Sequence, residues 1–177
     1  MTEQEVNYQE TIKKFDKKLP KFVMEGESVE RIDYHGVKEA PVLICFVKYK
    51  DSNSTEDKIL LLKRSDNVMV YKGQWNTVAG FLDQADKSLE EKVWEELGEE
   101  IGITKEQVTN LKKGEAYKVY DKEVNINWII FPVRIELKTK PKIKLDREHT
   151  DFKWINPQEI SNHKTIFGLE KSLKKVL

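Results

Sequence analysis

The chain of 177 residues is 38% hydrophobic and 10% aromatic, which is enough to bury a substantial core, and its length favours one domain. Lys plus Arg and Asp plus Glu both number 31, so no global field draws the protein to nucleic acid or to a membrane surface. A single cysteine, Cys45, excludes an intrachain disulfide or a cysteine-based zinc framework.

Residues 1–40 are rich in lysine and glutamate, with Phe15, Leu19, Phe22, Val23 and Met24 as scattered apolar anchors. They are expected to form an extension packed on a main domain of residues 41–177. The opening residues are polar, and no stretch approaches the roughly 20 apolar residues of a membrane span, so a cytoplasmic location without a membrane partner is expected. Pro41 to Tyr49 and Lys58 to Leu62 are β-rich runs separated by Asp51-Ser52-Asn53-Ser54-Thr55-Glu56-Asp57, a hairpin-loop composition. Cys45 sits within the first run as an apolar strand residue, with no basic neighbour in sequence to activate its thiol.

Gly73 to Gly80 predicts a strand ending on glycine, where a backbone without Cβ lets a metal or phosphate approach. Ser88 followed by Glu91 is a capping box that starts a helix, and Gly102 is positioned to stop it. Leu89, Val93, Trp94, Leu97 and Ile101 recur at helical spacing and form the inward face. Glu96, Glu99 and Glu100 stand at i, i+3 and i+4, so three like charges project from neighbouring points beside the apolar stripe. Hard divalent cations prefer such oxygen ligands and would relieve the repulsion; without one the cluster is a solvated acidic face.

Further along, Glu115 to Tyr120 and Val124 to Leu137 predict two strands joined at Asp121-Lys122, Asp151 to Ile155 a short strand, and Ser161 to Leu177 a closing helix. Helices alternating with hairpin-connected strands predict a mixed α/β sandwich.

Residues 80–103 resemble the Nudix box: Gly, five residues, Glu, seven residues, Arg-Glu, an aliphatic, any residue, Glu-Glu, any residue, Gly, an aliphatic. The second half matches in register through Glu96, Leu97, Gly98, Glu99, Glu100, Ile101, Gly102 and Ile103. The first half departs from it. One extra residue follows Gly80, Lys87 stands at the first glutamate and Glu95 at the arginine. In the family those two residues brace the loop against the helix, so Lys87 and Glu95 look like the same pair with its charges exchanged, on a lysine that lacks arginine's planar fork.

The resemblance implies an α/β/α sandwich with a central mixed sheet and a pyrophosphohydrolase. Glu96, Glu99 and Glu100 would hold Mg2+ or Mn2+ with help from the backbone at Ala79 or Gly80. Glu148, in Asp146-Arg147-Glu148-His149-Thr150-Asp151-Phe152-Lys153-Trp154-Ile155, resembles the loop carboxylate that many Nudix hydrolases place opposite the box, which with Glu99 makes the catalytic pair, with Asp146 and Asp151 as the alternatives to Glu148. Arg64 ends a strand where related proteins often carry a basic residue near the phosphates, and Trp75, with Tyr71 and Lys72, is placed to flank a base or sugar; a surface arginine and a core tryptophan are the alternatives. The expected partner is a small nucleoside diphosphate derivative, with no nucleic acid and with a homodimer as the familiar assembly. The altered half of the box leaves a catalytically weak nucleotide-binding or regulatory module as the alternative. An isoprenoid diphosphate isomerase-like enzyme would need a cysteine near its centre, where no motif places Cys45.

Overall fold

A computed structural model describes residues 6–177; residues 1–5 of the expected extension lie outside the described residues. The order is α1 (Tyr8–Lys18), β1 (Lys21–Val23), β2 (Glu30–Ile32), β3 (Glu39–Lys50), β4 (Asp57–Arg64), β5 (Trp75–Asn76), β6 (Val78–Phe81), α2 (Leu89–Ile101), β7 (Val108–Lys113), β8 (Tyr117–Asp121), β9 (Ile126–Leu137), β10 (His149–Ile155) and α3 (Leu169–Lys174).

Among the described residues β1 and β2 form a two-stranded ribbon, and the remaining strands form one eight-stranded sheet. Its main path runs β10-β4-β3-β9-β7, with β5 on β4, β6 on β3 and β8 on β9. The centre is the parallel pair β3 and β9, registered from Glu39 opposite Asn127 to Tyr49 opposite Leu137. Every other pairing between these strands is antiparallel, so the sheet is mixed. Leu43, Ile44, Cys45, Phe46 and Val47 are all buried, which requires cover on both faces of β3.

The register shows what supplies that cover. Gly80 pairs with Leu43, and Leu43 with Phe131, so the three share a face. A Cβ built on Gly80 would run into Glu96 of α2, which therefore lies on that face. Tyr8 of α1 packs edge-on against Phe131 at 5.4 Å on the same side. Ile130 and Tyr117 are paired on the opposite face; there Tyr117 Oη donates to the Gly168 carbonyl at 3.0 Å and lies 2.7 Å from Ser172 Oγ of α3. Helices thus cover both faces, giving the α/β/α sandwich.

Two expectations need correction. The closing segment 161–177 is not one helix: a 3-10 turn spans Pro157–Asn162 and α3 covers only Leu169–Lys174. The chain between them is taken by the sheet, because Trp75 N–H donates to the Lys164 carbonyl and Ile166 N–H to the Trp75 carbonyl, both at 2.9 Å. Gly168, at φ 83°, then turns the backbone into α3. The second correction is β7, which went unpredicted because it is a polar edge strand, Val-Thr-Asn-Leu-Lys-Lys, with only Val108 and Leu111 half-buried. No described helix is long and apolar enough to cross a membrane.

Candidate active site

Local chemistry sets the position of α2. Ser88 Oγ accepts from Glu91 N–H at 3.2 Å and Glu91 Oε2 from Ser88 N–H at 3.1 Å, closing the capping box. Gly102 ends the helix at φ 73° with its N–H on the Leu97 carbonyl. Leu89, Val93, Leu97 and Ile101 are buried as expected, and so are Lys92 and Glu100. Two charged side chains are thus drawn into the seam between α2 and β6.

At that seam Glu100 Oε2 accepts from the Ala79 N–H at 3.2 Å. Glu96 lies over Gly80 so closely that an added Cβ would stand 2.9 Å from Oε2 and nearer still to the rest of the carboxyl. Glycine is needed there for space, not for an unusual φ. Glu99 is exposed, one turn from Glu96 and Glu95.

Burial pushes the Glu96 carboxyl up to about 8, with Lys92 opposing and Glu99, Glu95 and Asp83 adding to the rise. Burial also raises Glu100 well above the usual carboxylate range, reinforced by Glu96, Asp146 and Glu148. Glu99 is raised by burial and by Glu95. All three box carboxylates are therefore held where negative charge is unfavourable, on an all-oxygen donor set, which fits a hard divalent cation. Among the described residues no three acidic, histidine or cysteine side chains yet surround one point. Glu96 is instead drawn to Lys92 Nζ at 3.6 Å.

Arg64 and Glu148 adjoin this seam. Glu148 contributes its carbonyl to Ser65 N–H at 2.7 Å, which docks its loop beside the end of β4. Arg64 Nε donates to the Val70 carbonyl at 3.0 Å. Burial lowers the Arg64 pKa, while Glu148 and Glu100, the largest opposing charges, counter that effect. Glu148 itself is exposed. Its backbone N–H donates to Asp146 Oδ1 at 3.2 Å, and buried His149 shares a 2.8 Å hydrogen bond with the same oxygen through Nδ1. His149 thus shapes the loop.

Trp75 is placed elsewhere, contrary to expectation. It pairs with Lys63, the neighbour of Arg64 that faces the other way, and its ring lies under Lys153 Nζ at 4.4 Å and beside His163 at 6.2 Å. Tyr71 is also committed: its hydroxyl donates to Asp121 and accepts from Trp128 Nε1 at 3.1 Å.

Lys87 Nζ stands 3.4 Å from Glu95 Oε2, but it is the outermost of three cations there. Lys92 is closer at 2.8 Å, and Arg31 of β2 reaches Glu95 Oε1 at 3.0 Å. Sequence reasoning missed Arg31, Asp83 and Lys92. The available signal was Lys92, a charge on the apolar side of the helix between Leu89 and Val93.

The NUDIX domain family model matches residues 44–176. The chain is 24% identical over 121 residues to the nucleoside triphosphatase NudI of Escherichia fergusonii, covering 64% of this chain and 84% of that protein. Its fold is similar to a Caenorhabditis elegans Ap4A hydrolase in a binary complex (TM-score 0.61, 19% identity, 77% of this chain and 93% of the other). It is also similar to the NUDIX domain of Shewanella oneidensis NrtR complexed with ADP ribose (TM-score 0.64, 16% identity, 81% and 90%). A MutT protein from Methanosarcina mazei Go1 has a TM-score of 0.58 at 22% identity, over 78% and 93% of the chains. With three-quarters of its length under the family model and the box carboxylates Glu96 and Glu100 set against β6, this chain belongs to the Nudix hydrolase family.

Proposed function

We propose that the protein is a divalent-metal-dependent pyrophosphohydrolase that cleaves a nucleoside diphosphate linked to another group, by attack of water at phosphorus. Residues 41–177 carry the activity and residues 1–40 are an extension on that domain. The observation that supports this best is the seam itself: Glu96 over Gly80, Glu100 on the Ala79 amide, and both within the electrostatic reach of further carboxylates.

Nudix hydrolases generally use divalent metal ions. Here Glu96, Glu99 and Glu100 would hold Mg2+ or Mn2+. A bound ion would neutralise phosphate oxygens that otherwise repel a nucleophile, and would acidify water. Arg64 orients the diphosphate as a fixed cation beside the seam. Glu148, exposed on a loop shaped by Asp146 and His149, accepts the proton from the attacking water. The products are a nucleoside monophosphate and the phosphorylated remainder.

The test is phosphate release, coupled to a phosphatase, from a panel of nucleoside diphosphate derivatives with Mg2+ or Mn2+, for the native protein and Glu99→Gln. Turnover of one substrate that collapses in the variant supports the hydrolase. Lys92, already seated among Asp83, Glu95 and Glu96, favours a second reading as a nucleotide-binding module. Ligand affinity without metal-dependent turnover would establish that reading instead.

A further inference from the structure

Asp83 in the loop before α2 and Glu95 on α2 are like charges that two buried cations join. Lys92 Nζ lies 3.0 Å from Asp83 Oδ1, 2.8 Å from Glu95 Oε2 and 3.6 Å from Glu96 Oε1, with its side chain 1% exposed. Arg31 spreads its fork over the other side. Nη2 is 3.0 Å from Glu95 Oε1 and 3.1 Å from Glu27 Oε2, and Nη1 is 3.4 Å from Asp83, with the side chain 9% exposed. Arg31 arrives from β2, and its strand is fastened to the same loop: Ile32 N–H donates to the Asp83 carbonyl and Tyr34 Oη to the Leu82 carbonyl, both at 2.7 Å.

Lys92 is the only one of these cations in contact with both the brace and Glu96. We propose that Arg31 is a positioning residue for the metal-facing side of α2. By holding one oxygen of Glu95 and the Asp83 carboxylate, it fixes the loop against the helix and so sets where Glu96, the next residue on α2, can meet a cation. The extension thereby completes the site from outside the box. This rests on the hydrolase reading above, since it assumes that Glu96 takes metal.

The experiment measures Mn2+ binding to the full-length protein by electron paramagnetic resonance, alongside kcat and KM, for native protein, Arg31→Met and Arg31→Lys. Arg31→Met is expected to weaken Mn2+ about 10-fold and lower kcat by a similar factor, while KM for the nucleotide moves little. Should Arg31→Met fail to fold, Arg31→Lys serves: it keeps the charge but cannot span three carboxylates, and Mn2+ binding is expected to weaken several-fold. Phe15→Leu, in the core of α1, is the control for general loosening and should leave Mn2+ affinity unchanged. Unchanged or tighter Mn2+ binding in the Arg31 variants overturns the proposal and leaves the hydrolase reading standing, as does an equal loss in Phe15→Leu. Native protein that binds no Mn2+ overturns both.

Discussion

Replacing Glu96 by glutamine should make the metal-free protein more stable. Burial holds the Glu96 carboxyl at about 8 against an ordinary 4.5, and its side chain is 12% exposed, so solvent screens little of the effect. Between those two values the native state binds a proton that the unfolded chain has released. Stability therefore falls as pH rises from 4.5 through 8, and levels off above. At pH 7, with 1.36 kcal/mol for each pH unit above 4.5, the penalty reaches a ceiling of about 3 kcal/mol. Glutamine has the shape of the protonated acid and no charge to bury, and Lys92 keeps Asp83 and Glu95 as partners. The expected gain is about 1–3 kcal/mol, or on the order of 5 °C in Tm for a chain of this size. Thermal and urea unfolding in EDTA, from pH 5 to 8, measure it. The native protein should lose stability across that range and Glu96→Gln should lose less, keeping the slope from Glu100 and Glu99. Saturating Mg2+ should narrow the gap, because the ion stabilises the native protein preferentially. A variant no more stable than native protein in EDTA at pH 7 to 8, or a native profile flat from pH 5 to 8, would refute the reasoning.

Three further outcomes are expected. Gly80→Ala should displace the Glu96 carboxyl and reduce kcat roughly 100-fold with little change in Tm, since an outward swing of Glu96 relieves the clash; a variant with native kcat would show that Glu96 need not lie over Gly80. Glu148→Gln should lower kcat by about 100-fold or more, with a smaller effect on KM; a variant with native kcat assigns the base elsewhere. Burial drives the Cys45 thiol pKa far above its usual range, so iodoacetamide should leave the folded protein unlabelled and modify it after unfolding, as intact mass would report.

The box helix was legible because its determinants are local: a cap, a glycine stop and an apolar period, all within Ser88 to Gly102. The strand pairs β3–β4 and β8–β9 were legible for the same reason, each being two apolar runs joined by turn residues. What escaped depends on partners far away in sequence. The direction of Trp75 follows from its register with Lys63 and its link to Lys164 and Ile166, which also breaks the expected final helix. Parallel pairing of β3 with β9 leaves no mark on either strand beyond their apolar character. Arg31 looked like one charge among many in a polar extension, and only the fold brings it to Glu95.

The altered box is best understood as one charge rearrangement. Glu95 puts a fourth carboxylate next to Glu96, Glu99 and Glu100, and such a helix would repel itself. Burial alone would raise the Glu95 carboxyl, yet hydrogen bonds from Lys92 and Arg31, with Lys87 beyond, hold it at about 2. That pairing stabilises the fold above pH 4.5 and is lost as pH falls toward 2, opposite in sign to Glu96. Three cations have thus been built around one inverted position. Glu95→Arg, which restores the usual family residue, should therefore destabilise this chain, because the new guanidinium would face Arg31, Lys92 and Lys87 with Asp83, Glu27 and Glu96 to share. Breaking a buried ionic network in this way costs about 3 to 5 kcal/mol. Urea unfolding in EDTA would measure the loss, and adding Arg31→Glu should recover part of it by restoring an opposite pair across the same contact. If Glu95→Arg alone were as stable as the native protein, the cations around Glu95 would be bystanders and the brace would lie elsewhere.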